Sequence, residues 1–218
     1  MTNDMKQMKT FALAALLLPL MACGGSEAQQ TAAEETQQSD KNIVVETIMA
    51  RRSIRKYKDQ PVEREKLDII LECGINAPSG MNKQPWEVRV VDNPEYINGA
   101  TELFKKESPK MAEDPGFKNM FRNAPVVIFI AYDKSRESNQ YDCGLLSENM
   151  VIAAQSMGLG TVCLGGPVHS LKTPPYEEYL KKLGFSEGYE LCVCIGVGYP
   201  DEAPDAKPRD AGKAQYVD

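Results

Sequence analysis

Histidine is nearly absent from this chain, since its 218 residues include a single one, His169. One imidazole without a neighbouring acidic cluster argues against a histidine-rich metal site and against a Ser-His-Asp triad, so no metal is expected. The chain has no internal repeat, and a repeat architecture is therefore not expected. Positive charge is not in excess, because the net charge is −6, and nucleic acid is not an expected partner.

The chain also lacks a Gly-x-Gly-x-x-Gly turn that follows a strand and opens a helix. Gly196 and Gly198 end an apolar run, but Tyr199 and Pro200 follow them and cannot start the phosphate-binding helix of that motif. The sequence therefore gives no dinucleotide-binding fingerprint of the Rossmann type.

Cysteine is odd in number after residue 23, with thiols at Cys73, Cys143, Cys163, Cys192 and Cys194. Five thiols cannot form a complete intramolecular disulfide set. Cys192 and Cys194 are two positions apart in an apolar run typical of a buried strand, so we expect both to point to one face. A metal or redox pair is the alternative there, and core packing is favoured because free cysteine behaves as a small hydrophobe.

The N-terminus holds a short apolar run over residues 10–22, which follows two lysines and precedes Cys23. The run is too short for a transmembrane helix, and its position predicts a secretory signal. Because residues 20–23, Leu-Met-Ala-Cys, resemble a bacterial lipobox, we predict a lipoprotein signal peptide over residues 1–22 and lipidation of Cys23. A plain signal peptide with an unmodified cysteine is the alternative.

Residues 24–41 contain no Leu, Ile, Val, Met or aromatic residue. Such a segment buries too little apolar surface to offset the entropy lost on ordering it. We therefore predict that residues 23–42 form a lipidated cysteine and a flexible linker, with a helical stalk as the alternative. The expected location is the bacterial cell envelope, lipid-anchored outside the cytoplasm, at either the inner or the outer membrane.

Residues 43–218 provide enough chain for one domain. Apolar periodicity predicts strands at 86–91, 125–132, 160–164 and 189–197 and helices at 44–51, 63–74, 94–106, 141–157 and 176–183. These elements do not alternate as regular βαβ units, which predicts an α+β fold. The polar stretch 108–123 is a candidate mobile lid. The helix at 141–157 is apolar on nearly all sides, and an obligate homodimer would cover it.

Two polar motifs indicate an anion-binding pocket with a polar rim. The first, Arg51-Arg52-Ser53-Ile54-Arg55, places three guanidinium groups in five residues. The second, residues 76–86, is a turn-forming run that includes three amide side chains and ends in the only tryptophan, Trp86. Each has a simpler interpretation, because arginine clusters are common on surfaces and Pro, Ser, Gly and Asn are turn residues in any protein.

The chain resembles the FMN-dependent nitroreductase family over roughly residues 43–210. The resemblance depends on the two motifs together with Gly158-Leu159-Gly160, Gly165-Gly166 and Lys207-Pro208-Arg209, in this order. It implies a small mixed or antiparallel sheet surrounded by helices, an intertwined homodimer, and FMN as cofactor. It also implies that the C-terminal tail, residues 200–218, crosses to the partner subunit.

The resemblance implies a flavin site built from two chains. Arg51 and Ser53 would hold the phosphate and ribityl end, with Arg52 and Arg55 alongside, because guanidinium forks suit a phosphate dianion. Two basic side chains of the tail, Lys207 and Arg209, would return to the same phosphate. The alternative for these residues is a solvated basic tail. The other subunit would supply the ring-edge residues Pro78, Ser79, Gly80, Asn82 and Gln84.

Leu164, Gly165 and Gly166 would pass beneath the isoalloxazine ring, where glycine allows a backbone N–H to approach flavin N5. Many family members carry an acid at the position of Gly165, so the donors and acceptors near N5 differ in this chain. A turn that ends a strand is the alternative for these glycines.

The implied activity is reduction of a nitroaromatic, quinone or similar electrophilic acceptor by ping-pong hydride transfer through the flavin, with no catalytic side chain required. Reductive dehalogenation and flavin fragmentation occur in related branches, and no residue decides among these reactions. An envelope location limits access to NAD(P)H, so another electron donor is an alternative reductant. The competing interpretation is a membrane-tethered, non-catalytic lipoprotein that uses the same fold to bind flavin or another ligand.

Overall fold

The computed structural model describes residues 42–217. The predicted signal peptide, the lipidation site Cys23 and almost all of the predicted linker lie outside the described residues. Within that described range, no helix has both the length and the apolar composition that a membrane crossing requires.

Helices and strands alternate irregularly along the chain. The helices are α1 (Ile43–Ala50), α2 (Arg64–Ile75), α3 (Pro94–Glu107), α4 (Pro109–Ala112), α5 (Asn139–Ser156), α6 (Gly166–Leu171) and α7 (Glu177–Lys182). The strands are β1 (Trp86–Val91), β2 (Val126–Asp133), β3 (Gly160–Leu164) and β4 (Tyr189–Gly198). Single 3₁₀ turns occur at Gly80–Asn82 and Ala211–Lys213.

The strands form one sheet in the order β1-β2-β4-β3, and each neighbouring pair is antiparallel. The central strand β2 is buried from Val126 to Ala131, as expected for a run that is apolar on both faces. β1 and β3 form the two edges. The α+β class with a small antiparallel sheet, predicted from the sequence, is confirmed.

Helices cover both faces of this sheet. On one face α2 and α5 pack against β2 and β4, and the shared core includes Leu67, Ile70, Leu146, Met150 and Ile195. On the other face α3 and α6 pack against the same strands, with Tyr96, Ile97, Phe129, Leu171 and Tyr176 in the core. Local sequence sets the start of α3, where the Asn93 side chain accepts a hydrogen bond of 2.8 Å from Glu95 N and proline occupies the first turn.

A β-bulge in β4 corrects one prediction. Ile130 pairs with Val193 and Ala131 pairs with Leu191, so Cys192 is an extra residue in β4. Cys192 and Val193 consequently both face the α2–α5 layer, whereas Cys194 lies in the opposite core. The prediction that Cys192 and Cys194 share a face is therefore wrong, because the bulge interrupts the alternation of side chains along the strand.

Two further segments differ from their predictions. His169 lies in α6 rather than in a loop, and Pro167 is tolerated in the first turn of that helix because a first-turn N–H has no intrahelical acceptor. The C-terminal part of the predicted lid is anchored in the core. There the Asn119 side chain donates to Ala124 O at 3.1 Å and accepts from Phe121 N at 2.9 Å.

Candidate functional site

The arginine motif, residues 51–55, lies along the outer edge of β3. Ser53 pairs with Thr161 as a short parallel bridge, and Ile54 N donates to Thr161 O at 2.9 Å. A Cβ added to Gly160 would lie 2.7 Å from Ile54 Cγ1, so glycine at this position allows the two segments to approach. The sheet edge therefore fixes the backbone that carries the guanidinium groups.

The same segment is also held from its other side by the chain that follows β4. Lys58 N donates to Tyr199 O at 2.9 Å, and Arg55 N donates to Glu202 Oε1 at 2.5 Å. The buried Tyr57 hydroxyl donates to Ile54 O at 2.7 Å. The arginine motif is thus positioned by contacts of this chain alone.

The three guanidinium groups of the motif have different partners. Arg52 Nη1 donates to Met49 O at 2.7 Å and to Arg51 O at 2.8 Å, at the C-terminal end of α1. Arg55 Nη1 donates to Ser53 O at 3.2 Å. Arg51 is half-buried, and none of the ion pairs formed within residues 42–217 includes it. Arg51 is therefore the guanidinium with the greatest capacity for an external anion, while Arg52 satisfies carbonyls that the end of α1 leaves open.

Cys163, which is exposed at the outer edge of the sheet, lies near Arg51, and Glu148 lies near Cys163. Desolvation raises the pKa of the Cys163 thiol in β3, while the charge of Arg51 lowers it and the charge of Glu148 in α5 raises it. These opposing influences place Arg51, Cys163 and Glu148 in one electrostatic neighbourhood. Nothing in the local sequence signals this group, because its members come from three separate segments.

The second motif forms the loop between α2 and β1, at the other edge of the sheet. Ser79 organises it, since Ser79 Oγ accepts from Gln84 N and Ser79 O accepts from Asn82 N, both at 2.9 Å. Met81, Asn82 and Gln84 have φ values of 54°, 54° and 48°. Residues other than glycine rarely adopt this left-handed backbone conformation, so the loop stores backbone strain of the kind found at ligand sites.

One chain does not bring the two motifs together. Ser53 borders β3, the loop at residues 77–86 leads into β1, and β2 and β4 lie between these edges. Three strand spacings correspond to about 14 Å. The loop contacts α5 instead, where Gly80 N donates to Asp142 Oδ2 at 3.3 Å. Within one chain the two motifs therefore lie at opposite edges of the sheet.

The turn after β3 borders open space. Leu164 is buried at the end of the strand, whereas Gly165 and Gly166 are exposed. A Cβ added at either glycine would meet no atom within 4 Å, and Gly165 has an ordinary φ of −89°. Packing within the chain therefore does not require glycine here, and the bare backbone leaves room for a planar group, which fits a flavin ring.

The basic residues of the tail are not joined to the arginine motif within one chain. Lys207 and Arg209 are exposed, and Arg209 Nη1 donates to Lys207 O at 3.1 Å and to Pro208 O at 3.4 Å. These contacts are local to the tail. The prediction that the tail crosses to a partner subunit remains a prediction.

Comparison with known proteins assigns the chain to a family. The model of the nitroreductase family matches residues 48–199, a range that includes both motifs and the turn after β3 but not Lys207 or Arg209. The chain belongs to the nitroreductase family. The resemblance inferred from the motifs is thereby confirmed.

Individual relatives extend over most of this nitroreductase. A Methanothermobacter thermautotrophicus protein with the provisional name NADH dehydrogenase/NAD(P)H nitroreductase is 33% identical over 168 residues, covering 75% of this chain and 81% of that protein. The NADPH-flavin oxidoreductase of Vibrio harveyi is 27% identical over 184 residues, covering 77% and 70%. The crystal structure of a Bacteroides fragilis nitroreductase with bound FMN superposes with a TM-score of 0.73 at 27% identity, covering 82% of this chain and 100% of that one.

Proposed function

We propose that this nitroreductase is an FMN-dependent oxidoreductase that transfers a hydride from a reduced nicotinamide to a nitroaromatic, quinone or similar electrophilic acceptor. The observation that carries the proposal is the half-buried Arg51, which has no carboxylate partner among residues 42–217 and sits on a preformed sheet edge. A guanidinium so placed is suited to a phosphate group. FMN held there would supply the redox chemistry, and the chain would bind and orient it.

The side chains and backbone of this nitroreductase bind and orient the cofactor. Arg51 and Ser53 hold the phosphate and ribityl end, because both come from the segment fixed against β3. Gly165 and Gly166 let the ring approach the backbone, because neither position has a side chain in the way. No protein acid or base is assigned, since the reacting atoms belong to the cofactor and its two substrates.

We propose a homodimer with two sites, each shared between subunits. Large apolar side chains are exposed on α1 and α5, including Ile43 at 76%, Met49 at 71% and Tyr141 at 75%. An open groove of about 550 Å³ lies between these helices and the end of α2. Exposed apolar side chains of this kind favour association. A second copy that covers them would also bring the loop at residues 77–86 to the partner's arginine motif.

An absorption spectrum tests the enzymatic proposal. We expect the purified protein to be yellow, to bleach anaerobically with NADH or NADPH, and to regain its colour when a nitroarene or quinone is added. A colourless protein that fails to take up added FMN contradicts the proposal and supports the non-catalytic binding lipoprotein. A yellow protein that is bleached by dithionite but not by NADH or NADPH would support flavin binding. It would also show that the electron donor is not a reduced nicotinamide.

We also propose that the domain is anchored in the cell envelope through a lipid on Cys23. The support is the lipobox-like sequence at residues 20–23 and the polar linker that follows it. Replacement of Cys23 by Ser should move the protein from the detergent phase to the aqueous phase, or leave the precursor unprocessed. A Cys23→Ser protein that mass spectrometry shows to be cleaved before residue 23 and that still partitions into detergent contradicts lipidation.

A further inference from the structure

Two thiols meet beneath α5, apart from the residues assigned to the flavin. Cys143 lies in the second turn of α5 and is 2% exposed, and Cys192 is the extra residue of the β4 bulge. Each thiol is the largest influence on the pKa of the other, which places them as neighbours. Each also faces a carbonyl of β2, with Cys143 Sγ 3.9 Å from Ala131 O and Cys192 Sγ 3.4 Å from Ile130 O. Both sulfur atoms therefore lie over consecutive carbonyls of one strand.

The bulge creates this proximity. In a regular strand Cys192 would face the same layer as Cys194, on the far side of the sheet from Cys143. The inserted residue turns Cys192 toward α5 instead, and bulges commonly re-aim one side chain in this way. The cost is a local interruption of the β2–β4 ladder.

We propose that Cys143 and Cys192 form a reversible dithiol–disulfide pair. The oxidant is a small disulfide such as oxidised glutathione. The Cys192 thiolate attacks one sulfur of that disulfide and releases one thiol, after which Cys143 loses its proton, attacks the Cys192 sulfur and releases the second thiol. The two protein thiols lose two electrons and two protons in total, and the oxidant gains them as two thiols.

Cys192 is the thiol that reacts first. It is half-buried, whereas Cys143 is buried in the core. The neighbouring Cys143 thiol lowers the pKa of Cys192, and the charge of Lys172 lowers it further, against the effect of burial. The Cys192 thiol, together with burial, raises the pKa of Cys143. Because the thiolate is the nucleophile, Cys192 attacks the oxidant and Cys143 resolves the mixed disulfide.

A bond between these residues would join the beginning of α5 to the core strand β4. It would close a loop of about 50 residues, and a cross-link of that span restricts the unfolded chain and so stabilises the folded one. We therefore expect oxidation to raise the melting temperature by about 5–15 °C.

The test uses the full chain, reduced and then incubated with oxidised glutathione. A second sample is refolded in the same buffer, so that limited access to the folded core does not conceal the reaction. Non-reducing digestion and mass spectrometry should yield one peptide that links residues 143 and 192, and dithiothreitol should release it. The rise in melting temperature should persist in the Cys73→Ser and Cys163→Ser controls and disappear in Cys143→Ser and Cys192→Ser.

Three results would overturn the pair. These are the absence of a 143–192 peptide from both samples, a linkage of Cys192 to Cys194 in its place, or an oxidation-dependent rise that survives in Cys192→Ser. If a serine variant does not fold, peptide mapping of the parent protein decides the question alone.

Discussion

The arginine motif at residues 51–55 and the loop at residues 77–86 lie at opposite edges of one sheet, and the chain holds them differently. On one side the arginine motif has a backbone hydrogen bond to β3. On the other side, the segment after β4 accepts hydrogen bonds from Arg55 N and from Lys58 N, just beyond the motif. The loop is held by contacts of Ser79, by a bond of 3.3 Å from Gly80 N to Asp142, and by a bond of 3.0 Å from Asp133 N to Pro85 O. Its residues 80–84 are exposed and include left-handed residues, so the middle of the loop is less constrained than the arginine motif.

The largest effect is expected from a substitution that disrupts the proposed dimer, because it would separate the arginine motif from the partner's loop at residues 77–86. Leu145 on α5 is 47% exposed, and a charge placed there would be buried in the proposed dimer. Leu145→Asp should weaken dimer association by about 3–5 kcal/mol and, with it, abolish tight FMN binding. Light scattering and flavin titration measure the two effects. Met111→Asp, an equally apolar but unrelated surface site, is the control, and a monomeric Leu145→Asp protein that still binds FMN tightly would refute the shared site.

The second prediction tests the preformed edge, by which we mean the arginine motif at residues 51–55 where it lies along β3. Arg51→Ala should weaken FMN binding by about 2–4 kcal/mol, the scale for losing a half-buried, charge-assisted phosphate contact. Arg55→Ala is the matched control, and its effect should be smaller because Arg55 is exposed and contacts the carbonyl of Ser53. Fluorescence titration with FMN gives both values. Binding by Arg51→Ala as tight as that of the parent would show that the phosphate assignment is wrong.

A pair of glycine variants separates binding from folding. Gly165→Ala should weaken FMN binding by about 1–2 kcal/mol because the methyl group fills the space in front of the ring. The free energy of unfolding of the apoprotein should stay within about 0.5 kcal/mol, since nothing in the chain lies near the new atom. Gly160→Ala should instead destabilise the apoprotein by about 1–3 kcal/mol, because its Cβ would meet Ile54 at 2.7 Å.

Chemical denaturation and flavin titration distinguish the two glycines. A Gly165→Ala protein with unchanged FMN affinity would remove the turn after β3 from the site. Loss of stability in that variant would show that a neighbouring segment occupies the space.

The smallest effect concerns the tail. Arg209 is exposed and bonded to its own backbone, so Arg209→Ala should weaken FMN binding by less than about 1 kcal/mol. The same titration gives the value. If Arg209→Ala proves more damaging than Arg51→Ala, the tail forms a wall of the partner's site, and the preformed edge is only part of the phosphate pocket.

Local patterns predicted most elements because local chemistry determines them. The strands at residues 86–91 and 160–164 have the predicted bounds, and α2 follows from the spacing of Leu67 and Ile70 and from Gly74 near its C-terminus. α6 was missed because Gly-Gly-Pro is also a turn sequence, although proline in a first helical turn was a usable signal.

Contacts between distant segments were beyond prediction from one sequence. No residue near Cys192 indicates an inserted position in the strand. Strict alternation of side chains therefore predicts the wrong face for Cys192. The pairing of Ser53 with Thr161 and of Lys58 with Tyr199 depends on how the whole sheet assembles. The motifs therefore identified the residues of the candidate site, while their placement at opposite edges required the structure.

The long-range contacts of the arginine motif also limit when the motif can be completed during synthesis of the chain. Arg55 and Glu202 are 147 positions apart, so the contacts that hold the motif on its second side cannot form until β4 and the residues after it have been synthesised. Contacts of such long range form late and slow the folding of a domain. Late completion of this motif would suit the proposed export route, in which the chain is threaded through a translocation channel before it folds.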